Sequence, residues 1–268
     1  MTQPLPEFRF PLSPGLFRIL ARGMGVSKDD QVLDLMTGSG AGALLLAQEY
    51  GCRVTGIDSK AADLRTAREA ARDLGLAELV HFREMDPQRL ELPSAVFDIV
   101  LALGGALTAL GRRQTLERIL VHLAPGGRVL FSDMIYLDSP PPGPVFEAMR
   151  QIPDPDGHPV QVRSNQPEPL VRIVFEQGTY HFETEADFRQ LLEAMGYTID
   201  FSLLSPESEW AQYFERAAEG AGSIDSPWND PALRRSVAEE AGAFYAYGGR
   251  QAVGYLLLSA RRSESEEF

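Results

Sequence analysis

The chain has 268 residues, one cysteine and a formal charge of −13, from 25 basic and 38 acidic side chains. A single thiol excludes a disulfide framework and any multi-cysteine zinc or iron–sulfur centre, and the acidic balance opposes a nucleic-acid partner. A hydrophobic content of 44% with 9% aromatics excludes a disordered chain.

The start, Met1-Thr2-Gln3-Pro4, lacks the charged-then-apolar order of a signal peptide. The longest weakly polar stretch, Ile99 to Leu110, is shorter than the ~20 residues of a membrane helix. The expectation is a soluble cytoplasmic protein without a membrane partner.

The first half alternates strand and helix signals. Ser13-Pro14 reads as an N-cap with proline at the first helical position, opening a helix through Leu16, Ile19 and Leu20. Gln31 to Met36 reads as a strand, Ser39 to Tyr50 as a helix and Arg53 to Ile57 as a strand. Lys60 to Leu74 is a helix stopped by Gly75, and Leu79 to Arg83 a strand. Phe97 to Leu103 is a buried strand, and Gln114 to Leu123 a helix with Leu116, Ile119, Leu120 and Leu123 on one face. Pro125-Gly126-Gly127 is a tight turn before a strand at Arg128 to Phe131. Such alternation predicts a parallel sheet covered on both faces, a doubly wound α/β fold.

The second half is less regular. Nine of the 19 prolines fall between Pro140 and Pro169, which excludes a long helix or inner strand there. Residues 134–182 are therefore expected to be an irregular insertion in a single domain spanning 1–268. A short helix at Val145 to Arg150 and a hairpin of Val171 to Phe175 with Thr179 to Phe182 are expected inside it. Thr184-Glu-Ala-Asp187 is a capping box for a helix to Met195, ended by Gly196. Thr198 to Leu204 is a strand, Ser205-Pro206 and Asp230-Pro231 each open a helix, and Ala252 to Ala260 is the last strand. The acidic tail from Ser263 is expected to fray.

The sharpest local feature is Val32 to Gly42, a strand that runs into Gly38, Gly40 and Gly42 and then a helix. Glycines allow a tight turn and a close ligand approach, and a helix N-terminus favours polar or anionic groups. A purely structural turn is the competing reading. Asp58 ends the next strand 20 residues after Gly38, where a carboxylate accepts both hydroxyls of an adenosine ribose. Equally, Asp58 caps the following helix. Glu84-Met85-Asp86-Pro87 follows the third strand, with Asp86 placed for an adenine amino group and Met85 for its ring. Carboxyl ends of successive parallel strands are where such sheets bind ligands.

With these residues in view, the chain resembles the class I S-adenosylmethionine-dependent methyltransferases of small-molecule type, those with a ubiquinone-methyltransferase-like domain. Val32 to Gly40 matches the first motif, with Asp34 as the acid before the glycine turn. Asp58 matches the ribose-binding acid, Met85 to Leu90 a Gly-Asp-Ala-x-x-Leu pattern, and Phe97 to Leu101 the fourth strand. Leu123 to Leu130 matches the Leu-x-Pro-Gly-Gly turn, Phe188 to Gly196 the helix before the sixth strand, and Gly254 to Arg261 the closing strand. The resemblance covers most of 14–133 and, more loosely, 184–262. It implies a seven-stranded, mostly parallel sheet with the last strand antiparallel and the insertion after the fifth strand forming part of the acceptor site. It also implies S-adenosylmethionine as cofactor, held by Asp34, Met36, Thr37, Gly38, Gly40, Asp58, Ser59, Met85, Asp86, Pro87, Leu103 and Gly104. No metal is expected.

Two departures matter. Met36 stands where the family usually has glycine. Leu103-Gly104-Gly105-Ala106 offers no polar catalytic group and differs from the Asn/Asp-Pro-Pro-aromatic motif of enzymes that methylate nucleobase or glutamine amino groups. With the acidic charge, this points to a small-molecule acceptor. Of four histidines, His122 and His81 read as packed, which leaves His158 and His181 as weak base candidates, with Tyr180 weaker still. The rings Phe8, Phe10, Phe17, Trp210, Tyr213, Phe214, Phe244, Tyr245 and Tyr247 read mainly as core, with one or two touching an acceptor. Cys52 lies away from the chemistry. An NAD-dependent oxidoreductase is the alternative, since Gly38 to Ala43 fits G-x-G-x-x-A. A non-catalytic binding protein of the same fold is the other.

Overall fold

A computed structural model of the chain describes residues 5–137, 183–219, 227–246 and 249–263. The helix expected at 145–150, the hairpin at 171–182 and the tail beyond Ser263 lie outside the described residues, as does the insertion beyond its first four residues.

Among the described residues seven strands form one sheet in the order β3-β2-β1-β4-β5-β7-β6. They are β1 (Gln31–Leu35), β2 (Arg53–Asp58), β3 (Val80–Glu84), β4 (Phe97–Ala102), β5 (Leu123–Tyr136), β6 (Tyr197–Leu204) and β7 (Val253–Arg262). Pairing is parallel from β3 through β5, while β7 runs antiparallel to both β5 and β6. The helices are α1 (Pro14–Met24), α2 (Ala41–Tyr50), α3 (Ala61–Asp73), α4 (Ala106–Leu110), α5 (Arg112–His122), α6 (Glu185–Ala194), α7 (Glu207–Glu219), α8 (Pro231–Ala246) and α9 (Gly249–Ala252).

Alternation along the strands divides the core in two. Val32, Ile99, Leu101, Leu130, Tyr255 and Leu257 face a cluster filled by α1, α2, α3, α7 and α8. Leu33, Leu35, Val100, Ala102, Phe131 and Leu258 face a second cluster filled by α4, α5 and α6. Strands buried on both faces must be apolar on both, hence their continuous apolar runs. The strand order reverses between β1 and β4, which parts the flanking helices at the carboxyl ends of these strands.

Helix ends follow the expected chemistry. The Ser13 hydroxyl accepts from the Leu16 amide (3.1 Å) and Pro14 opens α1. The capping box at Thr184 and Asp187 closes both ways, with the Asp187 amide donating to Thr184 and the Thr184 amide to Asp187.

Two elements differ from expectation. β5 is much longer than Arg128 to Phe131 and passes through Pro125-Gly126-Gly127. The register shifts between Phe97 and Ile99 and so accommodates the extra residues, and pairing with β7 carries the strand to Tyr136. α4 was invisible in the sequence because its tie is tertiary: Asp133 of β5 accepts from the Thr108 amide (3.0 Å) and hydroxyl (2.6 Å).

Phe82 on β3 covers Gly40 and Gly56, where added Cβ atoms would each meet its ring at 2.6 Å. Gly56→Ala should therefore cost about 1–3 kcal/mol in urea denaturation. Combined with Phe82→Leu, it should cost less than the sum of the two single changes.

Candidate functional site

A crevice opens where the strand order reverses. Its volume is about 260 Å³, and its floor is the turn from β1 into α2. The Thr37 amide donates to the Ile57 carbonyl (3.0 Å), extending the β1–β2 pairing into the turn. Gly38 and Gly40 both have positive φ, at 54° and 83°. Met36 does too, at 55°, which gives the physical reason for a glycine at this place: left-handed backbone strains any other common residue. The Met36 side chain is half-exposed and lines the crevice.

Two carboxylates lie at adjacent strand tips. Asp34, at the end of β1, is buried and accepts from the Thr37 hydroxyl at 2.6 Å. Burial raises its pKa to about 7 against the lowering effect of the Thr37 hydroxyl and Ala43 amide, and the nearby Asp58 charge adds to the rise. Asp58, at the end of β2, accepts from the Gly38 amide through Oδ2 and from the Lys60 amide through Oδ1, each at 2.9 Å. Both sequence readings of Asp58 thus meet in one side chain: it ties the start of α3 and braces the glycine turn. A carboxylate has about four acceptor positions, so two backbone bonds leave capacity toward the crevice.

Asp34, Met36, Thr37, Gly38, Asp58, Ser59, Leu103 and Gly104 all line this space. Four of the expected contacts do not. Gly40 turns toward Phe82 and Ala67, so its missing side chain serves packing. Asp86 is exposed and its Oδ1 accepts from the Gln88 amide (2.9 Å), Met85 packs against the second core cluster, and Pro87 is buried outside the crevice lining. The Met85 amide nonetheless donates to the Asp58 carbonyl (3.0 Å), so this loop adjoins the Asp58 bank.

Apart from the rings Phe8 and Phe10, several contributors escaped sequence reasoning. Glu7, Phe8, Arg9 and Phe10 close one side of the crevice, with Lys60 and Asp63 facing them. The loop after β4 hangs from β5 and β7: the Gly104 amide donates to the Ser132 hydroxyl (3.0 Å), which also bonds the buried Tyr255 hydroxyl (2.8 Å). Asp133 holds Thr108, the next fixed point of that loop, and burial raises its pKa. These ties join residues far apart in the chain and carry no local signature.

His158, His181 and Tyr180 lie outside the described residues, and neither described histidine lines the crevice. His122 is buried and bonds the Pro93 carbonyl through Nδ1 (3.0 Å). His81, expected to be packed, is exposed, because it stands on the outermost strand where one face is left uncovered. Trp210, Tyr213, Phe214 and Phe244 form a buried cluster, with Trp210 stacked on Phe244 at 4.4 Å. Behind it Glu240 accepts from the Tyr213 hydroxyl (3.2 Å), and burial lifts its pKa to about 7. Phe17 is core, Phe8 is buried and lines the crevice with Phe10, Tyr245 is exposed and Tyr247 lies outside the described residues. Cys52 is buried, with its thiol pushed up to about 11 by burial. No described helix is long and apolar enough to cross a membrane.

With this geometry in place, comparison with known proteins is informative. A family model described as "Methyltransferase domain" matches residues 32–127, the segment from β1 to the start of β5. Over this segment the chain is similar to the class I S-adenosylmethionine-dependent methyltransferases. It is 31% identical over 120 residues to a glycine/sarcosine/dimethylglycine N-methyltransferase of Actinopolyspora halophila, a match covering 45% of this chain and 21% of that one. The chain spans between 21% and 51% of the length of curated relatives it matches. Among solved structures, an S-adenosyl-L-homocysteine complex of a methyltransferase from Thiobacillus denitrificans superposes with a TM-score of 0.67, 19% identity and coverage of 95% and 93%. A [4+2]-cyclase superposes with a TM-score of 0.66, 21% identity and coverage of 94% and 82%. These two structural likenesses show the fold of the chain. None of these relatives is an oxidoreductase.

Two outcomes are expected at the floor of the crevice. An unfolded Asp loses its proton near pH 4, whereas Asp34 keeps it until about pH 7. The folded state then holds the extra proton, so stability falls as pH rises between these values. Asp34→Asn should remove that loss, raising the melting temperature of the ligand-free protein by roughly 2–6 °C at pH 8 and by less at pH 5. Met36→Gly should relieve the left-handed strain and stabilise the fold by up to about 1 kcal/mol in urea denaturation.

Proposed function

We propose that the protein transfers a methyl group from S-adenosylmethionine to a small-molecule acceptor. The observation that carries this reading is the pair Asp34 and Asp58, at adjoining strand tips on either side of the Gly38 turn, facing one crevice. A cofactor with two cationic centres and a ribose fits this donor set. The crevice presents four acids, Glu7, Asp34, Asp58 and Asp63, against Arg9 and Lys60. A buried carboxylate that holds its proton to about pH 7 is stabilised in its charged form by an ammonium or sulfonium beside it.

In this reading the free acceptor positions of Asp58 take the ribose hydroxyls. Asp34, kept in line by Thr37 and the Ala43 amide, faces the amino-acid end. Gly38 lets the chain pass close beneath the ligand, with Met36, Ser59, Leu103 and Gly104 walling it. The loop at Met85 to Pro87 borders the adenine end through its backbone tie to Asp58. When bound, the cofactor supplies a methyl on a positively charged sulfur, already a strong electrophile. What the chain must add is alignment of the acceptor and exclusion of water, effects that supply roughly 7–11 kcal/mol in favourable cases. The Arg9-Phe10 side of the crevice provides the exclusion.

The acceptor side is proposed to include residues 134–182, where His158 and His181 are the base candidates. Small-molecule acceptors are favoured by the apolar Leu103-Gly104-Gly105 loop and by the acidic charge. The N-methyltransferase match favours the same class.

Titration calorimetry with S-adenosylmethionine, S-adenosylhomocysteine and NADH tests the reading. The first two should bind and NADH should not. Asp58→Ala should weaken S-adenosylmethionine at least tenfold, equivalent to about 1.4 kcal/mol, with an unchanged circular dichroism spectrum. Undiminished affinity would remove the ribose assignment. Methyl transfer over a panel of amines, hydroxyls and thiols then separates a methyltransferase from a binding protein of the same fold.

A further inference from the structure

The crevice is bridged by the segment Glu7 to Ser13. On the β4 bank, Phe10 lies against Gly104, where an added Cβ would come within 2.9 Å of its ring, and stacks on Tyr255 at 5.8 Å. On the α3 bank, Arg9 donates to both carboxylate oxygens of Asp63, at 2.9 and 3.3 Å. The segment is anchored on either side of this crossing. The Trp228 indole donates to Glu7 (2.7 Å), the Ser205 hydroxyl to the Pro11 carbonyl (2.7 Å), and the Ser13 amide and hydroxyl to Glu209. Among the described residues the Arg9–Asp63 pair is the polar tie between this strap and α3. It is partly open to water, with side-chain exposures of 34% and 18%. The space beneath, about 260 Å³, is smaller than the ~300–1,000 Å³ usual for small-ligand pockets. A ligand of nucleoside size entering this space therefore meets the strap.

We propose that Arg9–Asp63 is a latch on this strap, and that its opening sets the rate at which the adenosyl ligand enters and leaves. The inference rests on the reading of the crevice as an S-adenosylmethionine site. A partly exposed ion pair is weak and screened by salt, which suits a tie that must open at every exchange.

The test is stopped-flow mixing of the full chain with S-adenosylhomocysteine, followed by tryptophan fluorescence, since Trp228 is tied to the strap through Glu7. Arg9→Ala and Asp63→Asn should each raise both the association and the dissociation rate constants, by roughly 2–5-fold. The exchanged pair, Arg9→Asp with Asp63→Arg, should return both rates toward those of the native protein. Added salt should speed exchange in the native protein and not in Arg9→Ala. Native rates in both single variants would overturn the latch while leaving the cofactor reading intact. A rise in dissociation alone would also overturn it and make Arg9 a direct ligand contact. If the native protein fails to bind S-adenosylhomocysteine at all, the cofactor reading itself falls and the latch with it.

Discussion

The reversal of strand order between β1 and β4 is the constraint on which the site depends. Helices entered from β1 and from β4 must pack on opposite faces of the sheet, so they part at the strand tips. The two core clusters record this division, with α2 and α3 on one side and α4 and α5 on the other. Whatever side chain ends β1 then projects into a space enclosed by protein but not filled by it. Here that side chain is Asp34, and its burial is a consequence of where the sheet reverses.

Such a carboxylate is expensive for the fold. Hydrophobic neighbours hold the Asp34 proton to about pH 7, and the Asp58 charge adds to the effect. Met36 adds left-handed strain at the next turn. Both features oppose stability and both border the crevice. Local rules are broken most often where a site needs the break. By contrast, the apolar strands and capped helices around the crevice break none. A cationic ligand is the simplest agent that turns the Asp34 burden into binding energy.

How far the sequence alone reached follows from how local each feature is. Asp34, Gly38 and Asp58 were legible because a strand, a glycine turn and a strand-end acid lie within 25 residues. The capping box at Thr184 and the apolar alternation of the strands were legible for the same reason. Gly40 lies outside the crevice lining, and a packing glycine and a ligand-facing glycine look alike in sequence until Phe82 and Ala67 are seen against it. Asp86 stands outside the crevice lining, and its short bond to the Gln88 amide is a turn device any Asp-Pro segment offers. α4 hangs on the Thr108–Asp133 tie across 25 residues, and the full length of β5, the Ser132–Tyr255 tie and the Arg9–Asp63 pair depend on contacts across 54 to 123 residues or on sheet pairing. No window of sequence holds both partners of such contacts.

The same distinction bears on what relatives can tell about the acceptor. Residues 32–127 contain the strand tips and the glycine turn, and this is the segment that matches the family model. The strap at residues 7–13, the Ser132 and Tyr255 support and the α7–α8 aromatic cluster all lie outside it. A site built in this way has one half fixed by sheet topology and another assembled from elements free to vary. A [4+2]-cyclase shares the fold with a TM-score of 0.66, so the scaffold is compatible with chemistry other than methyl transfer. The proposed choice of reaction partner is therefore to be sought in side chains outside 32–127 together with the Leu103-Gly104-Gly105 loop, beginning with Phe10, which stands between the crevice and the aromatic cluster.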